Sequence, residues 1–82
     1  MNDLGSGVLK AMESSSLGRM SVYILSKQCL DLGIDLEKMT QRDIPVLAQR
    51  LRKVLPFFLG DETDAVVREL NKLANGGQAV MT

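Results

Sequence analysis

Between residues 44 and 58, the apolar side chains advance by alternating steps of three and four positions. The members of this seam are Ile44, Leu47, Leu51, Val54 and Phe58. The same spacing occurs on either side of it, in Val22, Leu25, Cys29 and Leu32 and in Thr63, Val66, Leu70 and Leu73. Residues spaced in this way share one face of an α-helix, and that face is buried against other helices. The pattern predicts an all-α fold, a small helical bundle with left-handed, shallow crossings between its helices.

Local signals place the ends of three long helices, which we predict over residues 17–32, 40–55 and 61–74. Gly33 suits the left-handed conformation in which many helices end. Thr40 and Asp43 have the spacing of a capping box, with Asp in place of the usual Glu. Pro56 is expected to kink or end the second long helix, because proline has no backbone N–H to donate.

The two ends of the chain have weaker patterns. Leu4, Val8 and Met12 are spaced as one helix face, but Gly5 and Gly7 lie among them and each costs about 1 kcal/mol in a helix interior. We therefore expect residues 1–17 to form an N-terminal arm or frayed helix. Residues 18–75 are expected to form the bundle core, and residues 76–82 a disordered C-terminal tail.

Size and composition limit how the fold is stabilised. A chain of 82 residues accommodates one domain, and the stability of a domain this small is limited to a few kcal/mol unless a disulfide, a metal or a second subunit adds to it. One cysteine and no histidine exclude an internal disulfide and the ordinary zinc sites. We therefore expect no metal or other cofactor, and we expect association with a second copy, as a dimer, or with another protein.

The charges and the length of the apolar runs bear on the kind of partner and on the compartment. The 10 basic and 10 acidic residues cancel, which argues against a protein that mainly binds phosphates or an anionic membrane. No apolar run approaches the roughly 20 residues that span a bilayer, and residues 1–10 lack the layout of a signal peptide. A cytoplasmic protein without a membrane partner is the expectation.

The sequence has no pattern typical of an enzyme. Cys29 lies on an apolar stripe, and a buried structural cysteine is therefore expected rather than a reactive thiol. Asp61, Glu62 and Asp64 lack the spacing of a calcium loop and suit the positive end of a helix dipole. We predict neither catalytic residues nor a small-molecule substrate.

Several apolar residues are not used by the three seams and are candidates for an interface. On the helix predicted over residues 17–32, Met20, Tyr23 and Leu30 fall on the side away from the seam, together with Ile24. Val46 and Phe57 fall on the outer face of the next. Isolated exposed apolar residues are common on any protein, but tyrosine and methionine are enriched in interface cores. We accordingly interpret the chain as a protein-protein interaction or self-assembly module, with Met20, Tyr23, Leu30, Val46 and Phe57 as the candidate interface.

A basic segment leaves a second interpretation open. Arg42, Arg50, Arg52 and Lys53 could contact nucleic acid, so that the chain would be a small DNA-binding regulator using helix 41–55. On a helical wheel these residues spread over about 160°, which is also typical of a solvated polar face. The connection to the preceding helix is longer than the short turn of a helix-turn-helix motif.

Overall fold

Within residues 1–75, the part of the chain that a computed structural model describes, all regular structure is helical. The helices are α1 (Asp3–Glu13), α2 (Met20–Leu32), α3 (Asp43–Val54), α4 (Pro56–Leu59) and α5 (Glu62–Ala74). The predicted all-α helical bundle is confirmed, whereas the crossing angles stay a prediction. The predicted disorder of residues 76–82 concerns positions outside the described residues.

Helix α5 forms the centre of the bundle. It packs against α1, α3 and α4, while α2 packs against α1 and α3. Thr63, Val66 and Leu70 of its predicted seam are buried, Leu73 is partly buried, and Val67 is also in the core. Carboxylates of Glu62 and Asp64 lie in its first turn, where the helix dipole favours negative charge.

The first helix is part of the core rather than an arm beside it. Val8 and Met12 are fully buried, and the Asn2 side chain caps α1 by accepting a hydrogen bond from the Gly5 N–H at 2.8 Å. The same side chain donates to the Met39 carbonyl oxygen at 3.0 Å, which holds the start of α1 against the α2–α3 connection. Gly5 permits this close approach, because a Cβ atom at that position would lie 3.0 Å from the Leu36 carbonyl oxygen. A glycine that weakens the isolated helix is thus needed for its packing.

Helix α2 ends as predicted but buries a different face from the predicted seam. Gly33 terminates it with φ of 74°, in the left-handed region that glycine adopts readily. Ile24, expected on the outer side, is buried, whereas Val22, expected in the seam, is exposed. Apolar residues occur all round this helix, so their spacing does not select one face.

Helix α3 begins close to the predicted capping signal, and the Thr40 N–H donates to the Asp43 carboxylate at 2.9 Å. Its predicted seam is correct from Ile44 to Leu51 but wrong beyond that residue. Leu55 and Leu59 are buried in place of Val54, which is partly exposed, and Phe58, which is exposed.

Pro56 does not interrupt the helical backbone. It is the first residue of α4, and Leu55 keeps helical dihedral angles between the two helices. Leu51, Leu55 and Leu59 are spaced by four and continue the core on the side where α3 and α4 pack against α5. Val54 lies instead on the side of α2, and the two phenylalanines of α4 remain outside the core.

Candidate interaction surface

None of the aromatic side chains of this chain belongs to the core. The sequence contains one tyrosine, two phenylalanines and no tryptophan. Tyr23 is 75% exposed, Phe57 88% and Phe58 51%. Aromatic side chains contribute a large area to most hydrophobic cores, so a bundle that leaves all of them outside is unusual. We call these three residues the aromatic surface.

Tyr23 and Phe58 belong to one groove, which lies where α2 meets the end of α3 and the short helix α4. The groove has a volume of about 300 Å³, and its other lining residues are Ile24, Lys27, Gln28 and Val54. Most of this lining is apolar, and Lys27 provides a positive charge at its edge. Phe57 does not line the groove, but it is the neighbour of Phe58 in the chain and projects from the same short helix.

A polar contact involves Gln28, one of the groove-lining residues. The Arg50 guanidinium donates a hydrogen bond to the Gln28 amide oxygen at 3.1 Å, and it lies 4.0 Å from the Asp31 carboxylate. The Lys27 ammonium lies 3.4 Å from the same carboxylate. The Arg50 contacts connect α2 to α3, and the hydrogen bond to Gln28 orients a buried side chain that forms part of the groove wall.

The five interface residues predicted from the sequence are all exposed, but they do not form one cluster around the groove. Only Tyr23 lines it, and Phe57 adjoins it. Met20 is 49% exposed and lies one turn before Tyr23, while Leu30 is 80% exposed and lies two turns after it. Val46, 49% exposed, lies on α3 outside the groove lining.

The sequence-based prediction missed Phe58 and Val54, because both continued the apolar seam of α3. For Phe58 the signal is Pro56, whereas no signal in the spacing separates Val54, which precedes the proline, from Leu55. Proline is common at the first position of a helix, so a three-four spacing that runs across it need not belong to one continuous helix. Residues beyond such a position cannot be assigned to the core from spacing alone.

The basic residues predicted as alternative nucleic-acid contacts are partly engaged within the chain. Arg50 contacts Gln28 and Asp31, as described above, and the Arg52 guanidinium lies 3.4 Å from the Asp64 carboxylate of α5. Arg42 and Lys53 are exposed at opposite ends of α3. The four side chains therefore do not present a single cluster of unengaged positive charge.

A second groove runs between α1 and α5 and is larger, at about 410 Å³. Gly7, Ala11 and Ser14 form part of its α1 wall, and Glu69, Lys72 and Leu73 form the α5 wall. Lys72 and Glu69 form an ion pair at 3.0 Å across one turn of α5. This arrangement contains no nucleophile paired with a base, and the ion pair is the ordinary neighbour contact of an exposed helix face.

Cys29 is buried, as the sequence predicts. Its side chain is 1% exposed, and burial, with a smaller effect of the Asp43 carboxylate, raises the pKa of the thiol from 9.0 to about 11. A thiol with a raised pKa is a poor nucleophile near neutral pH because little thiolate is present.

Within residues 1–75, no group of three His, Cys, Asp or Glu side chains is placed to hold a metal ion. Over the same residues, every helix is too short or too polar to cross a bilayer.

No family model matches the chain, and neither a curated protein nor a solved structure matches it. The aromatic surface is therefore interpreted from its own chemistry and position.

Proposed function

We propose that this chain is a non-catalytic protein-protein interaction module that self-associates through the aromatic surface. The observation that carries the proposal is the exposure of Tyr23, Phe57 and Phe58. Tyrosine and phenylalanine are enriched in the cores of protein interfaces relative to the remaining surface. Exposing them to water in a monomer forgoes the stabilisation that their burial would contribute.

The exposed aromatic area would form about half of one side of a standard dimer interface. At about 200 Å² for a complete aromatic side chain, the exposed fractions of the three residues leave about 430 Å² accessible. This is within the range of the largest apolar patch on a typical monomer. It is also about half of the roughly 800 Å² that each partner contributes to a standard interface. Met20, one turn before Tyr23, adds to it.

Self-association also fits the small size of the domain. A chain of 82 residues buries a modest fraction of its surface on folding, and its stability is correspondingly limited. Burial of the aromatic surface in a dimer would add stability without a disulfide or a metal. The proposal includes a cytoplasmic location, for which the single, buried thiol is in keeping with a reducing compartment.

DNA binding receives less support than self-association. Two of the three arginines proposed for it, Arg50 and Arg52, lie near carboxylates of this chain, which reduces the positive charge available to phosphates. A DNA-binding protein of this kind would bind duplex DNA at low salt and lose affinity steeply as salt rises.

Sedimentation of the complete chain tests the proposal. We expect a monomer–dimer equilibrium between about 1 μM and 1 mM, the range of weak to moderate affinities. Tyr23→Ser should shift this equilibrium toward monomer, because it removes a ring from the aromatic surface. Val46→Ser is the matched control, since it removes an exposed apolar side chain that lies outside the groove. A wild-type chain that remains monomeric at every concentration would refute self-association.

A further inference from the structure

The most exposed large apolar side chain of the described residues lies beside an apolar groove that it does not fill. Phe57 is 88% exposed, and the next residue, Phe58, forms part of the groove wall. Consecutive Cα atoms are about 3.8 Å apart. Each molecule therefore presents a projecting aromatic ring next to an open groove.

The groove has the size and lining to hold a phenyl ring. An apolar cavity of about 150 Å³ holds benzene, and this groove measures about 300 Å³. Tyr23 and Phe58 in its wall offer ring faces and edges to an entering aromatic side chain, an arrangement that stabilises beyond the area buried. Ile24 and Val54 complete an apolar lining.

The short separation between ring and groove suits a twofold axis. In a twofold interface the same patch is used by both copies, so that a contact from the first copy to the second is repeated from the second to the first. A ring and a groove at adjacent positions allow both insertions to occur within one small interface. The closed symmetry also leaves neither ring exposed, whereas a single insertion would leave one ring and one groove unused.

Charges near the two features are complementary. Lys27 lies at the groove, is 70% exposed, and shares its charge with Asp31 of the same chain at 3.4 Å. Asp61 follows Phe57 by four residues, is exposed, and forms no ion pair within residues 1–75. A second copy that inserts Phe57 would bring the Asp61 carboxylate toward Lys27, which favours the encounter and its register.

We propose that two copies form a twofold dimer in which Phe57 of each copy occupies the groove lined by Tyr23, Ile24, Val54 and Phe58 of the other. This inference rests on the proposed function and makes it specific. Phe57 is the residue that is inserted, and the groove is the site that receives it.

The first experiment measures the dimer dissociation constant of the complete chain by sedimentation. Truncation of a central aromatic residue typically weakens an interface by about 30-fold or more. Since Phe57→Ala removes the ring from both copies, we expect the dissociation constant to rise by about 1,000-fold. Leu30→Ala is the matched control, because Leu30 is 80% exposed and lies outside the groove. It should change the dissociation constant by less than about threefold.

The second experiment blocks the groove and then mixes variants. Val54→Trp places a large side chain in the groove and should make the chain monomeric although Phe57 is intact. Lys27→Trp also blocks the groove, at a position that is exposed rather than partly buried. This variant replaces Val54→Trp if Val54→Trp fails to fold. A mixture of Phe57→Ala with a blocked variant retains one ring and one open groove. We expect this mixture to form a heterodimer about 30-fold more tightly than either variant forms a homodimer.

The outcomes separate this inference from the proposed function. If wild-type chain dimerises and Tyr23→Ser weakens the dimer while Phe57→Ala does not, reciprocal insertion is refuted and self-association through the aromatic surface stands. If the variants are monomeric but their mixture forms no heterodimer, reciprocal insertion is again refuted. If wild-type chain is monomeric throughout, both proposals fail. Restoration of the dimer in the mixture supports the inference.

Discussion

Truncation of Met12 tests whether α1 belongs to the folded core. This side chain has no exposed area, so that Met12→Ala removes buried atoms and leaves a cavity. Substitutions of this type cost about 2 to 5 kcal/mol, depending on how far the surroundings relax. At about 0.05 to 0.15 kcal/mol per residue, a chain of 82 residues has a total free energy of unfolding of about 4 to 12 kcal/mol. We therefore expect Met12→Ala to remove a large share of the stability.

Urea unfolding followed by circular dichroism measures this effect. With a slope of about 1 kcal/mol per molar urea for a small domain, the expected loss lowers the midpoint by about 2 M or more. Lys10→Ala provides the matched control on the exposed side of the same helix, and surface changes of this kind usually stay within about 0.5 kcal/mol. If the two variants have the same midpoint, α1 does not pack against the bundle in solution, and residues 1–17 behave as an arm.

Two further predictions concern the glycines of α1 and the buried thiol. Gly7→Ala should raise the free energy of unfolding by about 0.5 to 1 kcal/mol, because its Cβ atom would meet Leu73 at an ordinary 3.4 Å. Gly5→Ala should give no such gain, because its Cβ atom would meet a backbone carbonyl oxygen at 3.0 Å; equal stabilisation of both variants in urea unfolding would contradict the close approach. The Cys29 thiol has a pKa raised from 9.0 to about 11, so the folded state holds its proton more tightly than the unfolded state. The contribution of the protonated thiol to the free energy of unfolding is complete below pH 9. It is lost between pH 9 and about pH 11, and the loss is about 3 kcal/mol in total. The free energy of unfolding, measured by urea unfolding from pH 9 to pH 11, should fall in this way for the wild type but not for Cys29→Ala. The same pH dependence in both chains would refute the raised pKa of Cys29.

Sequence spacing predicted best the helices whose apolar residues occupy a single stripe. In α5 the predicted residues Thr63, Val66 and Leu70 are buried, because polar residues separate the stripe from the rest of the helix. In α2 the apolar residues surround the helix, and the buried face is selected by the positions of α1 and α3. Spacing carries no information about the positions of those helices. For this reason Val22 was predicted in the core and Ile24 outside it, whereas the structure has the reverse.

The N-terminal segment shows a second limit of local reasoning. Helix propensity counts Gly5 as a cost, and in an isolated helix that is correct. In the folded chain, the same residue allows the start of α1 to lie against the α2–α3 connection, where Asn2 bonds to the Met39 carbonyl oxygen. The contact joins residues 37 positions apart in sequence, and no local window contains both partners.

The error at Phe58 has a different character, because it coincides with the candidate site. The apolar pattern offers Val54 and Phe58 to the core as readily as Leu55 and Leu59, yet the fold buries the two leucines and leaves both phenylalanines of α4 outside. A monomer optimised for its own stability would favour burial of the larger rings, since aromatic side chains contribute the greatest apolar area. Places where a local rule fails without compensation inside the fold are where functional constraints are expected. The proposed dimer would compensate for the exposure of Phe57, Phe58 and Tyr23 together, and the groove lined by Tyr23 and Phe58 is the site that it would use.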